Sequence, residues 1–191
     1  MHKVTINDIV GRERYEHIRD QFREHIIAVK KIRRIAVGNI ITFVFENQDT
    51  VKFQIQEMLR AEHITDLDQT RSEIETYNEL IPSDGELSAT MLIEITEHDQ
   101  IRPQLVRLLG IDTAVSLHIG QQVVVPAVFE AGRSKEDNLS AVQYVRFVFS
   151  PEARAAFHDE RQEAKIVIDH PHYQAHTVLN PETRHALATE L

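Results

Sequence analysis

Between Ile40 and Ile95 the chain reads as a strand, two helices and a second strand, and this order constrains the fold more than any other feature. Ile41, Phe43 and Phe45 alternate along residues 40–46, and Ile40 and Val44 make the other face apolar too, the pattern of a strand internal to a sheet. After the Asn47-Gln48-Asp49 turn, Val51, Ile55, Met58 and Leu59 recur at helical spacing over residues 50–63. Leu67, Ile74, Tyr77 and Ile81 do the same over residues 67–80. Glu62 falls on the first apolar stripe, a carboxylate where a hydrophobe is expected, and Arg71 and Asn78 border the second. The short connection from His63 to Asp66 makes the helices antiparallel, so Glu62 is expected to meet Arg71. Beyond the Pro82-Ser83-Asp84-Gly85 turn, Leu87, Ala89, Met91, Ile93 and Ile95 alternate with Ser88, Thr90 and Glu94 as a half-buried strand.

On the N-terminal side, Thr5 and Asp8 predict a capped turn interrupted near Gly11. Tyr15, Ile18, Phe22, Ile26 and Val29 then form one stripe of a long helix, with Gly38 as its stop. Lys30, Lys31, Arg33 and Arg34 crowd its last turns, where cations complement the helix dipole. Arg33 lies on the apolar stripe and is expected to pair with a buried carboxylate. Downstream, residues 98–109 read as a helix stopped by Gly110, and strands are expected over 115–119, 123–129, 143–149 and 164–168. Ala131 to Asn138 reads as an exposed loop, and Pro151 and Pro181 open two further helices. The expected fold is α+β: a mainly antiparallel sheet of about five or six strands packed against the long N-terminal helix and the central helical hairpin. Residues 1–191 are expected to form a single domain, with 165–191 as an extended C-terminal segment.

Composition removes several classes of function. The formal net charge of −9 argues against a general nucleic-acid or anionic-membrane binder, since both need a positive footprint. The absence of cysteine excludes disulfides, thiolate catalysis, cysteine-ligated zinc and a self-contained iron–sulfur cluster. No apolar run follows Met1-His2-Lys3-Val4-Thr5, and no window approaches the ~18 apolar residues of a membrane span, so a cytoplasmic location is expected. The chain carries no phosphate loop, dinucleotide fingerprint, Gly-x-Ser-x-Gly or His-Glu-x-x-His.

Two groups of residues remain as candidate metal sites. His170, His172 and His176, beside Asp169, are side chains that suit zinc or iron, and three such ligands with an open position can activate water. Their spacing fits no established zinc signature, and Pro171 interrupts any helix that would align them. The plainer reading is that Asp169 and His170 tie the tail down by hydrogen bonds. Glu57, Glu62, Glu75, Glu79 and Glu94 suggest a carboxylate-rich site, but neither central helix carries the Glu-x-x-His pair of di-iron bundles.

Residues 45–50, 54–62, 75–82 and 85–90, with the helix from Tyr15 to Arg34, Ser140–Phe147 and Asp169-His170-Pro171, resemble an uncharacterised bacterial family. That family is a domain of unknown function whose genes tend to lie beside those for rubrerythrin and iron–sulfur oxidoreductases. The resemblance covers nearly the whole chain and carries no established catalytic residues. It implies a role near peroxide defence or electron transfer, and a chain without cysteine fits an accessory role there. The first expectation is therefore a non-enzymatic accessory or binding protein, a homo-oligomer that docks on a redox partner through an exposed apolar patch. Its expected recognition residues are Asn47, Gln56, Glu57, Glu62, Arg71, Asn78 and Glu79. The competing expectation is a metal-dependent enzyme acting on a small molecule through His170, His172, His176 and inward glutamates.

Overall fold

The apolar stripe from Tyr15 to Val29 forms α1 (Arg12–Arg33), preceded by a capped 3-10 turn at Ile6–Asp8. The helix stops at Arg33 rather than running on to Gly38. From there the burial pattern changes to a period of two, with Ile35 and Val37 buried and Arg34 and Ala36 exposed. This is β1 (Arg34–Val37), and Gly38, at φ 73°, turns it into β2 (Ile41–Phe45). There follow α2 (Gln48–Ala61), α3 (Leu67–Asn78), β3 (Glu86–Ile93), α4 (Ile101–Arg107), β4 (Val115–Ile119) and β5 (Val123–Phe129). The chain continues through β6 (Ser134–Lys135), β7 (Asn138–Leu139), β8 (Val142–Val148), α5 (Pro151–His158), β9 (Ala164–His170), β10 (Tyr173–Val178) and α6 (Pro181–Ala188). The computed structural model describes residues 2–132, 134–135 and 138–191. The loop expected at Ala131–Asn138 falls in part on Arg133, Glu136 and Asp137, which lie outside the described residues; β6 and β7 pair antiparallel.

Eight strands form one sheet in the order β1-β2-β3-β8-β5-β4-β9-β10, and its neighbours pair antiparallel throughout. This corrects the expectation of five or six strands. β1 lay hidden at the end of a helical pattern, and β10 fell in the segment expected to be extended. β5 serves two partners: its first half pairs with β4 as far as Pro126, and its second half pairs with β8 from Ala127. Proline has no N–H to donate, and the strand changes partner there.

The sheet curls into a nearly closed barrel, because its two edges, β1 and β10, come together. Side chains bridge the seam. The Tyr173 hydroxyl donates to Val37 O at 2.8 Å and accepts from the Asn39 and Ile40 amides at 3.0 and 3.3 Å. The Thr177 hydroxyl donates to Ala36 O at 2.7 Å. A Cβ on Gly38 would overlap the Tyr173 hydroxyl, so the glycine is needed for the close approach as well as for the turn.

Inside the barrel, Phe43, Phe45, Met91, Phe147 and Ile166 are fully buried, and the Phe45 and Phe147 rings stack at 6.0 Å. Phe157 of α5, Leu187 of α6 and Ile111 after α4 join the same cluster. A second cluster lies outside the barrel, where Val51, Ile55 and Leu59 of α2 meet Ile74, Leu80, Ile81 and Val4, with Tyr144 of β8 packed against them. The hairpin therefore covers the outward side of the sheet around β3, and Ser88, which an alternating strand would leave to solvent, is buried.

Buried polar side chains join these layers. Arg33 pairs bidentately with Glu190 at 2.7 Å and also donates to the carbonyls of Phe45 and Glu46, tying α1 to the C-terminus as its place on the apolar stripe foretold. Glu46, 2% exposed, accepts from Thr50 Oγ1 at 2.5 Å, Thr90 Oγ1 at 2.6 Å and Gln54 Nε2 at 3.0 Å, fastening β2, β3 and the start of α2. Arg184 donates to the carbonyls of Ala156, Phe157 and Asp159 at 2.8–3.2 Å and to that of Gln162, and so caps the end of α5.

If Tyr173 closes the seam, Tyr173→Phe should lower unfolding stability by about 1–3 kcal/mol, since it strips partners from a carbonyl and two amides at once. Urea denaturation would measure this, and a variant as stable as the parent would mean that apolar packing alone holds the edges together.

Candidate functional site

Above the outer face of β8 and β5, the end of α2 and one side of α3 stand away from the sheet. They leave an open cleft of about 540 Å³. Local sequence sets its upper wall. α2 ends in a double-bonded turn in which the His63 amide donates to Arg60 O at 3.3 Å and the Ile64 amide to Leu59 O at 2.9 Å. His63 takes the left-handed conformation, φ 57°, that glycine usually fills there. Asp66 then caps α3, its carboxylate accepting from the Asp68 and Gln69 amides. At the far end of α3, Lys3 donates to Asn78 O and Ile81 O at 2.7 and 2.8 Å, and Arg146 donates to Glu79 O and to the Glu86 carboxylate.

The cleft has an aromatic and aliphatic floor and an acidic rim. Tyr77, Tyr144 and Val128 supply the first; Glu62, Glu73, Glu79 and Glu130 supply the second. Burial raises the pKa of Tyr77 above the ordinary phenol value, and the neighbouring Tyr144, Glu73 and Glu62 raise it further, so the hydroxyl stays protonated. Arg146, the cation among the described lining residues, is already committed to Glu86 and to the end of α3. Such a site offers ring faces, aliphatic surface, phenol donors and negative charge, which suits a ligand that is apolar and cationic.

The residues expected to recognise a partner divide between this cleft and the scaffold. Glu62 and Glu79 line it. Glu62 is the exposed cap of α2 rather than a member of its buried stripe, because the helix ends at Ala61 and the apolar spacing no longer applies. It does not carry the expected ion pair: Arg71 pairs with Asp68, one turn away, at 3.0 Å. Asn47 caps α2 by accepting from the Thr50 amide. Asn78 and Gln56 each grip one residue of the N-terminal segment through both ends of a side-chain amide. Asn78 exchanges two bonds of 2.8 Å with the Val4 backbone, and Gln56 exchanges bonds of 2.7 and 3.3 Å with that of Val10. Glu57 accepts from the Tyr15 hydroxyl and from two nitrogens of Arg19, all at 2.8 Å, which fixes α2 to α1.

His170 and His172 lie side by side, their ring centroids 5.8 Å apart, but His176 does not join them. His170 is buried, its Nδ1 accepting from the His172 amide at 3.2 Å, which leaves the proton on Nε2 to donate to Leu109 O at 2.9 Å. His176 stands on the exposed side of β10, the opposite face of the sheet. Glu94 pairs with Arg34 and accepts from Thr42, and Asp169 accepts from Gln174. Among the described residues, no group of three or more His, Asp or Glu side chains is placed to hold a metal ion, and no helix is long and apolar enough to cross a membrane. Sequence reasoning missed Glu73, Val128, Phe129, Glu130 and Tyr144. The one available signal was the outward side of β8, where Tyr144 and Val148 flank Arg146.

Arg19, by its hydrogen bond first and the Tyr15 hydroxyl after it, holds the Glu57 carboxyl below the usual carboxylate range. A depressed folded pKa contributes stability above the unfolded value and loses it as pH falls through the folded value. Glu57→Gln should therefore cost about 1–2 kcal/mol at neutral pH. That gap should shrink as both proteins are acidified below about pH 4.5, near the ordinary carboxyl pKa; a gap constant across the range would assign it to packing.

The comparisons with known proteins agree with this architecture. The family described as "Protein of unknown function (DUF3501)" matches residues 3–191. A crystal structure of a novel protein of unknown function from Burkholderia pseudomallei K96243 is similar at a TM-score of 0.93 and 31% identity, with 100% of each chain covered. No curated protein matches. Matched over residues 3–191, the chain belongs to the DUF3501 family of proteins of unknown function.

Proposed function

We propose that this is a non-enzymatic binding protein and that its binding site is the cleft between α3 and the outer face of β5 and β8. One observation carries the reading: two tyrosine rings and Val128 share a concave site of about 540 Å³ with several carboxylates. Ligand sites are of this size, and they are mostly apolar with a few placed polar groups. Support also comes from how the other conspicuous polar residues are used, since Gln56, Glu57 and Asn78 hold the helical layer together. The redox or peroxide-defence system implied by the resemblance would supply the partner. A chain without cysteine would take part as an accessory, with no thiol of its own to carry electrons.

Protein-observed NMR with a library of small organic fragments tests the proposal. Fragments that bind should shift the amides of Tyr77, Val128, Glu130 and Tyr144 before others. Val128→Lys, at a position 55% exposed, should abolish those shifts and leave the rest of the spectrum in place. Shifts that gather instead around His170 and His172 would overturn the cleft in favour of the tail.

A further inference from the structure

Three of the seven large hydrophobic side chains left exposed among the described residues, Val124, Val128 and Val148, stand on one surface. Val124 and Val128 are four residues apart on β5 and so share a face. Val128 is opposite Arg146 of β8, and Val148, two residues on, points the same way. The strip they make runs directly into the cleft, because Val128 belongs to both. The helical hairpin covers the neighbouring stretch of sheet around β3 but not this one. At one end of the strip stand Glu62, Glu73 and Glu130 around Tyr77 and Tyr144; at the other, Glu152 borders Val124 and Val148.

We propose that the outer face of β5 and β8, with the cleft it runs into, docks a basic, apolar-rich segment of a partner protein. The proposal rests on reading the cleft as the binding site and adds the chemistry of the occupant. Charge selects the cation. The carboxylates at both ends of the strip call for lysine or arginine, and a cationic head between Tyr77 and Tyr144 gains from the ring faces as well as from Glu62 and Glu73. Shape selects a segment over a small molecule, since a lone amine would occupy the cleft and leave the valine strip bare. The first half of β5 is paired with β4 and the second with β8, and the strip consists of side chains on the outward face, so the segment lies across the sheet by its side chains and does not extend it as a further strand.

The test uses the full chain and a fluorescein-labelled peptide of alternating lysine and leucine, with a glutamate–leucine peptide as its counterpart, in anisotropy titrations. The basic peptide should bind, weaken as salt is raised, and bind about tenfold more weakly to a Glu62→Gln, Glu73→Gln double variant. It should also be lost in Val128→Lys, whose exposed position spares the fold. Equal binding of the acidic peptide, or indifference to the glutamate substitutions, would overturn the charge argument. Displacement of the peptide by butylamine at matching concentration would make the occupant a small amine and overturn the segment. A dimer in sedimentation that Val128→Lys dissolves would show a second copy covering the face, again overturning the inference. If the peptide fails while fragments still shift the cleft amides, the docking inference falls alone. If neither binds, the cleft reading falls with it.

Discussion

A sheet ends in two rows of unpaired backbone groups, and an eight-stranded sheet must pair, cover or close them. Here closure is nearly complete, but the last gap is bridged by side chains rather than by a ladder: Tyr173 and Thr177 of β10 bond to the carbonyls of β1. Much else depends on that seam. Gly38 must lack a side chain for the tyrosine hydroxyl to reach the turn, and β1 must follow α1 directly so that its edge arrives there. The C-terminal helix then meets α1 on the outside, where Arg33 and Glu190 form their buried pair. A buried ion pair is weak evidence for net stability, yet breaking one side of it would strand a charge, so this contact specifies how the C-terminus docks.

Pro126 has a second structural role. The pairing with β4 ends at Pro126 and that with β8 begins at Ala127, so β5 links two parts of the barrel wall. The helical hairpin is inserted between β2 and β3, so it packs over β3 and part of β8 and reaches no further. The cleft lies where that covering layer ends and the sheet continues. Its concavity thus follows from topology: two short helices cannot span the barrel's outer face.

The polar residues of the helical layer show why residue type alone was an ambiguous guide to function. Asn78 and Gln56 mimic a strand partner for Val4 and Val10, satisfying backbone groups of a segment that has no ladder of its own. Glu57 is neutralised by Arg19. The same amides and carboxylates would serve equally well for recognition, and only their partners in space decide which use is made of them.

The sequence by itself determined the elements whose periodicity is strong and local. The hairpin from Asn47 to Asn78, the alternation in β3, the proline starts of α5 and α6 and the buried pairing of Arg33 were all legible, because spacing, caps and turn residues act within a few positions. Tertiary structure decided the rest. Arg34–Val37 becomes a strand only because β2 is beside it, and Tyr173–Val178 only because β9 and the seam hold it. Glu62 and Arg71 take separate surroundings because the exact end of α2, not the apolar stripe, places the carboxylate. The cleft draws on residues from Met58 to Arg146, a juxtaposition no local pattern encodes. The pairing of β8 with β3 and of β5 with β8 brought Tyr144 and Glu130 under Tyr77, and contacts so distant along the chain are fixed by the packing of whole layers.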